Sequence, residues 1–281
     1  MKILVTGATG FLGRHLCPKL TKLGYEIYIS NSKKVNLLKF DNLHVYDSYK
    51  FDYIFHLAAV TKAGDYCMTH QGDQWKMICM GTSCSYSPEL PMAEDNYLLG
   101  PPEKSLYTYA MTKRMLLVGL QSIQQQYGLE WLYFVPSTLY GPNFELEDNH
   151  FIFDFIRNCY NAKHNNEKFV LWGNGEQRRE LIYVDDAINI MIKLLKEKNQ
   201  VFNLGTGQDY TINEFAHKVC KIYDYDFSLI SHDLTKYVGA KQKKIDITKL
   251  SCYLNDNKII PTSLEKGLAS SIEYFKRNYK K

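Results

Sequence analysis

Short apolar runs alternate with amphipathic stretches through the first half of the chain. The run over 1–6 leads into three glycines spaced three residues apart, and an amphipathic stretch then extends to Gly24. A second apolar run, over 26–30, follows at once. A strand, a tight turn, a helix and a second strand in this order are typical of a βαβ unit, so we predict a parallel sheet at the start of the chain.

Further apolar runs extend the predicted sheet. They predict strands over 42–46, 53–57, 77–80 and 131–135, and a helix over 106–128. Strands that alternate with helices indicate the α/β class, and we predict a Rossmann-type doubly wound parallel sheet with a smaller α/β substrate-binding lobe. We expect residues 1–137 to form mainly the dinucleotide-binding domain and residues 138–281 mainly the substrate-binding lobe, with some later elements returning to the first domain.

The glycine turn predicts a dinucleotide site. Gly7, Gly10 and Gly13 would let the backbone approach a pyrophosphate, which the free N–H groups and the dipole of the following helix would hold. Small residues after the strand over 53–57 would leave room for the cofactor beside the sheet. The predicted cofactor-binding residues of these segments and of the last predicted strand end are Gly7, Thr9, Gly10, Phe11, Leu12, Gly13, Leu57, Ala58, Ala59 and Pro136.

The end of the second strand favours NADP(H) over NAD(H). An acid at this position would accept hydrogen bonds from the adenosine ribose, but the chain has Ser30, Asn31 and Ser32, followed by Lys33 and Lys34. No carboxylate would repel a 2′-phosphate, and two cations could attract one. We therefore predict that Asn31, Ser32 and Lys33 bind the cofactor. Two lysines on a solvated loop would be equally ordinary, which leaves NAD(H) open.

Tyr109 and Lys113 predict proton-transfer chemistry. A tyrosine four residues before a lysine lies on the same face of a helix, so the ammonium would favour the ionised phenol and make it a proton shuttle. Thr82 follows the strand over 77–80 and would reach the carboxyl edge of the sheet, where ligands of open α/β sheets bind. Taken alone, the tyrosine and the lysine also fit a chance pair in a chain with 22 tyrosines.

Segments along nearly the whole chain resemble the extended short-chain dehydrogenase/reductases of the nucleotide-sugar epimerase/dehydratase family, and within it the branch of GDP-sugar epimerase-reductases. The matching segments, in chain order, are 7–13, 81–86, 91–94, 109–113, 139–142, 171–175, 179–186, 202–207 and 263–269. The resemblance implies an NAD(P)-dependent oxidoreductase whose partner is a nucleotide sugar, with a GDP-linked sugar favoured.

The resemblance also implies roles for single residues. Thr82, Tyr109 and Lys113 match a catalytic set in which the lysine holds the phenol and the nicotinamide ribose. Cys84 and His150 match residues that move protons at carbons next to a ketone, as epimerisation requires. The alternatives are that Cys84 packs beneath its loop and that His150 caps a helix.

Further substrate contacts follow from the same resemblance. Arg179 matches an arginine that holds the pyrophosphate of the sugar nucleotide, and a guanidinium fork suits that task better than an ammonium. The implied substrate-binding residues are Thr82, Ser83, Cys84, Asn143, His150, Trp172, Arg179 and Lys241. Trp172 could equally belong to the core, and Lys241 is one cation of the basic stretch 241–244.

One interval departs from the family pattern. Relatives place a helix between the fourth and fifth predicted strands, with an asparagine that supports the catalytic tyrosine. Residues 62–75 show no helical apolar period, although a parallel crossover normally requires a dozen or more residues. Either the chain has lost this helix, or residues between about Cys67 and Lys76 are absent from the sequence as given.

Composition sets wider bounds on function. The net charge of +4 over 281 residues is too small to favour nucleic acid as a partner. Seven cysteines without metal-ligand spacing suit a reducing compartment and predict no metal site. No apolar run approaches the ~18 residues of a membrane span, and the start of the chain lacks the pattern of a signal peptide. We expect a cytoplasmic enzyme, a homodimer, with no membrane partner.

Three functions remain for the whole chain. The first is reduction of a 4-keto-6-deoxy nucleotide sugar at C4, with or without epimerisation at C3 and C5. The second, within the same family, is an NAD-dependent 4-dehydrogenase that oxidises a GDP-hexose or GDP-heptose. The third is a non-catalytic NADP-binding regulator, which the presence of Thr82, Tyr109 and Lys113 disfavours because a sensor does not need a tuned phenol.

Overall fold

The computed structural model describes residues 1–30, 35, 45–46, 48–58, 76–254 and 260–279. The strands of this part of the chain are β1 Lys2–Thr6, β2 Glu26–Ser30, β3 Tyr53–His56, β4 Lys76–Met80, β5 Glu130–Pro136, β6 Thr138–Tyr140, β7 Val170–Trp172, β8 Arg178–Tyr183, β9 Gln200–Leu204, β10 Asp209–Thr211, β11 Ser231–Asp233 and β12 Gln242–Lys243. The helices are α1 Phe11–Lys22, α2 Tyr107–Tyr127, α3 Phe151–Asn165, α4 Val184–Lys193, α5 Ile212–Tyr223, α6 Thr248–Leu254 and α7 Leu264–Asn278.

Two compact units divide the chain. The first comprises Met1–Pro136, Ile188–Leu204 and Asp246–Asn257. The second comprises Ser137–Ala187, Gly205–Ile245 and Lys258–Lys281. The chain therefore leaves the first unit after Pro136 and returns to it twice.

A parallel sheet forms the centre of the first unit. Its strand order is β2-β1-β3-β4-β5-β9, and every neighbouring pair is parallel. Side chains of the inner strands, among them Val5, Phe55, Ile78 and Phe134, are fully buried. Near-continuous apolar strands are expected where both faces of a parallel sheet are covered. The predicted α/β class with a Rossmann-type parallel sheet is confirmed.

The predicted strand over 42–46 is wrong at Val45 and Tyr46, which lie in a 3₁₀ turn. The Tyr46 carbonyl oxygen accepts a hydrogen bond from the Tyr49 amide at 3.0 Å, so it serves a turn. The Tyr46 ring packs near Phe51, with 6.2 Å between ring centroids. The end of this apolar run is therefore a turn whose Tyr46 side chain packs on the core, and it is not a strand. The remainder of the run, 42–44, lies outside the described residues.

The second unit is built around β8. This strand pairs with β10 in an antiparallel manner and with β6 and β12 in a parallel manner. The carboxylate of Glu180 is buried and accepts hydrogen bonds from the amides of Thr206, Gly207 and Ile245 at 2.6 to 2.9 Å. Such pairing offsets the cost of burying a charge. Glu180 therefore fixes two loops against β8.

The crossover between β3 and β4 joins adjacent parallel strands. Residues 59–75, where relatives place a helix, lie outside the described residues. The absence of a helix in this interval stays a prediction.

Candidate active site

The carboxyl ends of four strands carry the predicted groups of the first unit. β1 leads into the glycine turn, β3 into Leu57 and Ala58, and β4 into Gly81 and Thr82, while β5 ends at Pro136. Parallel strands place these ends along one edge of the sheet, where open α/β sheets bind ligands.

The glycine turn has no room for side chains at two of its positions. Gly7 has φ +69°, and a Cβ added there would lie 2.5 Å from the Ala58 amide nitrogen. A Cβ at Gly13 would lie 2.4 Å from the Gly7 carbonyl oxygen. A Cβ at Gly10, by contrast, would meet only the Gly7 carbonyl oxygen, at 3.3 Å. Gly7 and Gly13 therefore allow close packing of the backbone within the turn, whereas the space beside Gly10 is open.

These features fit the diphosphate and ribose of a dinucleotide. Helix α1 begins after Gly10, which supplies no capping side chain, and its first turn contains no acidic residue. The helix N-terminus thus offers N–H donors and positive potential to an anion. At the end of β2, the Ser30 hydroxyl is buried and has no hydrogen-bond partner among the residues described. Thr9 lies in the same turn, where its carbonyl oxygen accepts a hydrogen bond from Arg14 Nε at 2.6 Å.

Several predicted cofactor contacts fall outside the described part of the chain. They are Asn31, Ser32, Lys33 and Ala59, together with the neighbouring Lys34. The residues that distinguished NADP(H) from NAD(H) are therefore still known from sequence alone.

Tyr109 lies in the first turn of α2 with 37% of its surface exposed. Burial raises the pKa of its phenol above the ordinary value, a hydrogen bond from the Thr82 hydroxyl lowers it, and the nearby Cys84 raises it. Burial is the largest of these effects, so the pKa of Tyr109 is raised. Thr82, Cys84 and Tyr109 are therefore brought together, and the phenol holds its proton at neutral pH.

Lys113 donates a hydrogen bond from Nζ to the Met80 carbonyl oxygen at 2.9 Å. Burial lowers the pKa of its ammonium, which the neighbouring Cys79 raises. The prediction that Lys113 favours the ionised phenol of Tyr109 is wrong in this arrangement. Desolvation disfavours the charged forms of both groups, and the lysine proton is directed at the end of β4.

Thr82 organises the turn that follows β4. Residues Ser83–Ser85 form a 3₁₀ turn, and the Thr82 hydroxyl oxygen accepts the Cys84 amide at 3.3 Å. The Ser85 hydroxyl donates to the Ala110 carbonyl oxygen at 3.1 Å. The turn is therefore fastened to the first turn of α2, which carries Tyr109.

Sequence reasoning missed two polar groups around this cluster. His56 ends β3, and its Nδ1 lies 2.9 Å from the Thr6 hydroxyl of the adjacent strand. Burial, and then the charge of Lys113, lower the pKa of His56 to about 4, so the ring is neutral. Arg114 is 6% exposed and donates to the carbonyl oxygens of Ser85 and Gly100. His56 and Arg114 are identified by strand pairing and by burial, and neither property can be seen in the sequence.

His150 immediately precedes α3 in the second unit, and its side chain makes no capping hydrogen bond. His150 is nevertheless the N-cap residue of α3, so the alternative that it caps a helix is confirmed for its backbone, whose carbonyl oxygen accepts the Phe153 and Asp154 amides at 2.9 and 3.0 Å. The rings of Phe151 and Phe153 lie 5.1 and 6.4 Å from the imidazole, centroid to centroid, while the residue as a whole is exposed. Partial removal of water from the imidazole lowers its pKa, Asp148 raises it, and Arg179 lowers it. His150 is neutral at pH 7.

Arg179 holds a backbone segment of the second unit. Its Nη1 donates to the Ala240 carbonyl oxygen at 2.8 Å, and its Nη2 donates to the Val238 carbonyl oxygen at 2.9 Å. Lys241 follows directly, is exposed, and gives its carbonyl oxygen to the Arg178 amide at 2.8 Å. The structure thus brings Arg179 and the segment of Lys241 together through backbone carbonyls.

Trp172 and Asn143 lie at the surface of the second unit. Trp172 is 58% exposed, so the alternative that it belongs to the core is wrong. The Lys236 ammonium lies 5.7 Å from the centre of its ring system. Asn143 has φ +62°, a left-handed conformation that asparagine tolerates better than most residues. Among the described residues, no cluster of three or more His, Cys, Asp or Glu is arranged to hold a metal ion.

The profile of the NAD dependent epimerase/dehydratase family matches residues 3–77 and 66–205. The GDP-L-fucose synthase of Escherichia coli (strain K12) is 29% identical over 316 aligned positions, which cover 99% of this chain and 97% of that protein. The GDP-L-colitose synthase of Yersinia pseudotuberculosis is 28% identical, with 98% of each chain covered. The crystal structure of a GDP-L-fucose synthetase from Naegleria fowleri bound to NADP has a TM-score of 0.85, with 22% identity, and the match covers 99% of this chain and 94% of that one.

One detail of these matches concerns the crossover, and another concerns the length of the chain. The two profile segments overlap over 66–77, and the alignment with the Escherichia coli protein has 316 positions against 281 residues in this chain. The relative therefore contains residues that have no counterpart here. None of the helices in the described part of the chain is long and apolar enough to span a membrane. The family resemblance seen in the sequence is confirmed, and the chain belongs to the NAD dependent epimerase/dehydratase family.

Proposed function

We propose that this protein is an NADP(H)-dependent reductase of a GDP-linked 4-keto-6-deoxy sugar, acting at C4, with epimerisation at C3 or C5 as a further activity. The observation that carries the proposal is the placement of Thr82 and Cys84 in a turn that Ser85 fastens to the first turn of α2, which carries Tyr109. The full-length match to proteins named GDP-L-fucose synthase and GDP-L-colitose synthase supports the choice of a GDP-sugar.

The first unit would serve as the dinucleotide-binding domain. Gly7, Gly10 and Gly13 would hold the diphosphate, and Lys113 the nicotinamide ribose. When bound, the nicotinamide supplies the hydride that reduces the ketone. The Naegleria fowleri structure with NADP agrees with a preference for NADP(H), which the missing acid after Ser30 predicts.

Tyr109 would donate the proton in this reduction. Hydride addition to a ketone places negative charge on the carbonyl oxygen, and that oxygen requires a proton. A phenol whose pKa is raised is protonated and is suited to this step, whereas oxidation of an alcohol requires the phenolate. The Thr82 hydroxyl would hydrogen-bond the same oxygen. The full-length matches to proteins named GDP-L-fucose synthase and GDP-L-colitose synthase support the reductase over the 4-dehydrogenase.

Cys84 and His150 would carry the epimerisation. Removing a proton next to a ketone needs a base, and the neutral imidazole of His150 can act as one at pH 7. Cys84, in the Thr82 turn of the first unit, would be the second residue of this exchange, as the family resemblance implies.

The second unit would serve as the substrate-binding lobe. Arg179 and Lys241 would bind the diphosphate of the sugar nucleotide, and the exposed ring of Trp172 would pack on the nucleotide. Ser83 and Asn143 would hydrogen-bond the sugar. Arg179 would exchange its bonds to the carbonyl oxygens of Val238 and Ala240 for bonds to phosphate oxygens.

We further propose that the protein works as a homodimer in the cytoplasm. None of the six cysteines that the structure describes forms a disulfide, which agrees with a reducing compartment. A non-catalytic regulator is disfavoured because it would not need the Thr82 and Tyr109 pair.

Product analysis by mass spectrometry tests this function. The protein is incubated with NADPH or NAD and with GDP-, UDP-, CDP- and dTDP-linked sugars, both as alcohols and as 4-ketones. We expect a GDP-4-keto-6-deoxy sugar to gain two hydrogen atoms with NADPH. Oxidation of a GDP-hexose or GDP-heptose with NAD, without reduction of any ketone, would support the dehydrogenase instead.

A further inference from the structure

We propose that Tyr97 and Tyr133 are positioning residues for the reaction, because their buried hydroxyls form a continuous hydrogen-bonded chain from Thr82 to Lys113. The Thr82 amide donates to the Tyr97 hydroxyl at 3.3 Å. The Tyr97 and Tyr133 hydroxyl oxygens lie 3.2 Å apart. The Tyr133 hydroxyl donates to the Lys113 carbonyl oxygen at 2.7 Å.

Counting the hydroxyl protons shows which group donates in each of these hydrogen bonds. The single hydroxyl proton of Tyr133 is used on the Lys113 carbonyl oxygen, so Tyr97 must be the donor in the bond between the two tyrosines. The Tyr97 oxygen remains as the acceptor for the Thr82 amide. Every hydroxyl of the chain therefore both donates and accepts, and removing either leaves a buried partner unsatisfied.

Burial makes the chain rigid. Tyr97 is 1% exposed and Tyr133 is fully buried, and their rings meet edge to face at 5.5 Å. Burial raises the pKa of both phenols, so both stay protonated. A Cβ at Gly81 would lie 2.5 Å from Tyr133 Cε1 and 2.8 Å from the Tyr97 hydroxyl. The residue before Thr82 must therefore be glycine for the strand end to pass over the tyrosine pair.

The chain joins the two backbone segments that carry the reacting groups. Thr82 lies two residues after the end of β4, and Lys113 lies on α2 one turn after Tyr109. The amide of Thr82 and the carbonyl of Lys113 are tied through the buried hydroxyls of Tyr97 and Tyr133. Tyr97 and Tyr133 thus fix the backbone of Thr82 relative to the turn of α2 that follows Tyr109.

Tyrosine-to-phenylalanine variants test this role, which rests on the proposed reductase function. Tyr97→Phe, Tyr133→Phe and the double variant keep the rings and remove only hydroxyls. Tyr223→Phe is the matched control, because its hydroxyl is buried and has no partner among the described residues. We expect each single variant to lower kcat about fivefold to tenfold, as loss of one buried hydrogen bond would, with an unchanged KM for NADPH.

The double variant shows whether the two hydroxyls act together, through one series of hydrogen bonds, or independently. If both hydroxyls act through the same chain, the double variant loses no more than about the larger single loss, whereas independent structural effects multiply. Multiplied losses, or equal losses in Tyr223→Phe, would overturn the proposal.

Hydrogen exchange at the Thr82 amide is a readout that does not require turnover. We expect this amide to exchange faster in Tyr133→Phe as well as in Tyr97→Phe, and at the wild-type rate in Tyr223→Phe. Unchanged exchange in Tyr133→Phe would contradict the positioning chain. If the wild type has no reductase activity but the variants show this exchange pattern, the proposed function is refuted, whereas the hydrogen-bonded series from Thr82 to Lys113 is supported.

Discussion

Lys113 donates its ammonium proton to the carbonyl oxygen of Met80, at 2.9 Å. The lysine thereby ties α2 to the end of β4, directly before the turn of Thr82. We therefore propose that its part in the reaction is to place the helix and to meet the cofactor ribose. Lowering of the Tyr109 pKa is not among its effects in this structure, since burial dominates the shift of that phenol.

Tyr109→Phe should abolish most turnover while leaving dinucleotide binding nearly intact. The change removes only the oxygen that transfers the proton, and general acid catalysis typically contributes ~10² to 10⁴ in rate. Steady-state NADPH oxidation and fluorescence titration of NADPH measure the two effects. A variant that retained most of its turnover would exclude Tyr109 as the acid.

The pH dependence of reduction should follow the raised pKa of Tyr109. An acid acts in its protonated form, which persists below its pKa, and the ordinary tyrosine pKa is already ~10. The rate should therefore show no loss from this group between about pH 7 and 9, and should fall only at higher pH. A decline centred near neutrality that Tyr109→Phe removes would contradict the assignment.

Proton exchange should be separable from reduction. With a 4-keto substrate in D₂O, the wild type should incorporate deuterium at C3 or C5, and Cys84→Ser or His150→Asn should suppress this before it suppresses NADPH oxidation. Because the pKa of His150 is lowered, its base form should persist below the ordinary value of ~6.5, so incorporation should decline only at lower pH. Turnover without any incorporation would mean that the enzyme acts only at C4.

Arg179→Lys should raise the KM for the nucleotide sugar about tenfold, equivalent to about 1.4 kcal/mol, because an ammonium cannot make paired bonds to a diphosphate. Arg178→Lys is the neighbouring control, since that guanidinium pairs with Asp209. The KM for NADPH should change in neither variant. Equal effects on the sugar nucleotide in both would refute the role of Arg179.

NADP(H) should bind more tightly than NAD(H). Titration of both dinucleotides at one salt concentration measures the preference that Lys33 and Lys34 predict. NAD(H) binding tenfold or more tightly would contradict it, since that ratio is equivalent to ~1.4 kcal/mol, more than an exposed lysine pair contributes.

Periodicity identified most of the first unit because its elements are long or strongly apolar. β2 occupies 26–30 as predicted, and the helix predicted over 106–128 is α2, which ends where Gly128 takes a left-handed φ of +73°. The short run around Tyr46 misled because one packed ring resembles a strand residue. The resemblance to relatives, rather than any pattern, suggested His150 and Arg179.

Electrostatics could not be obtained from spacing. The spacing of Tyr109 and Lys113 gives their shared helix face, but the pKa of each depends on how much water the fold removes. The tyrosine pair of 97 and 133 joins residues 36 positions apart, and nothing in either local sequence shows that they meet.

Transfer of deuterium from NADPH labelled at C4 of the nicotinamide tests the central claim most directly. The protein is incubated with a GDP-4-keto-6-deoxy sugar and the labelled cofactor, and the product is analysed by NMR and mass spectrometry. We predict one deuterium on C4 of the sugar in the wild type and, over the same incubation, at most a trace with Tyr109→Phe. A wild-type protein that binds NADPH but delivers no deuterium to C4 of the sugar would contradict the account.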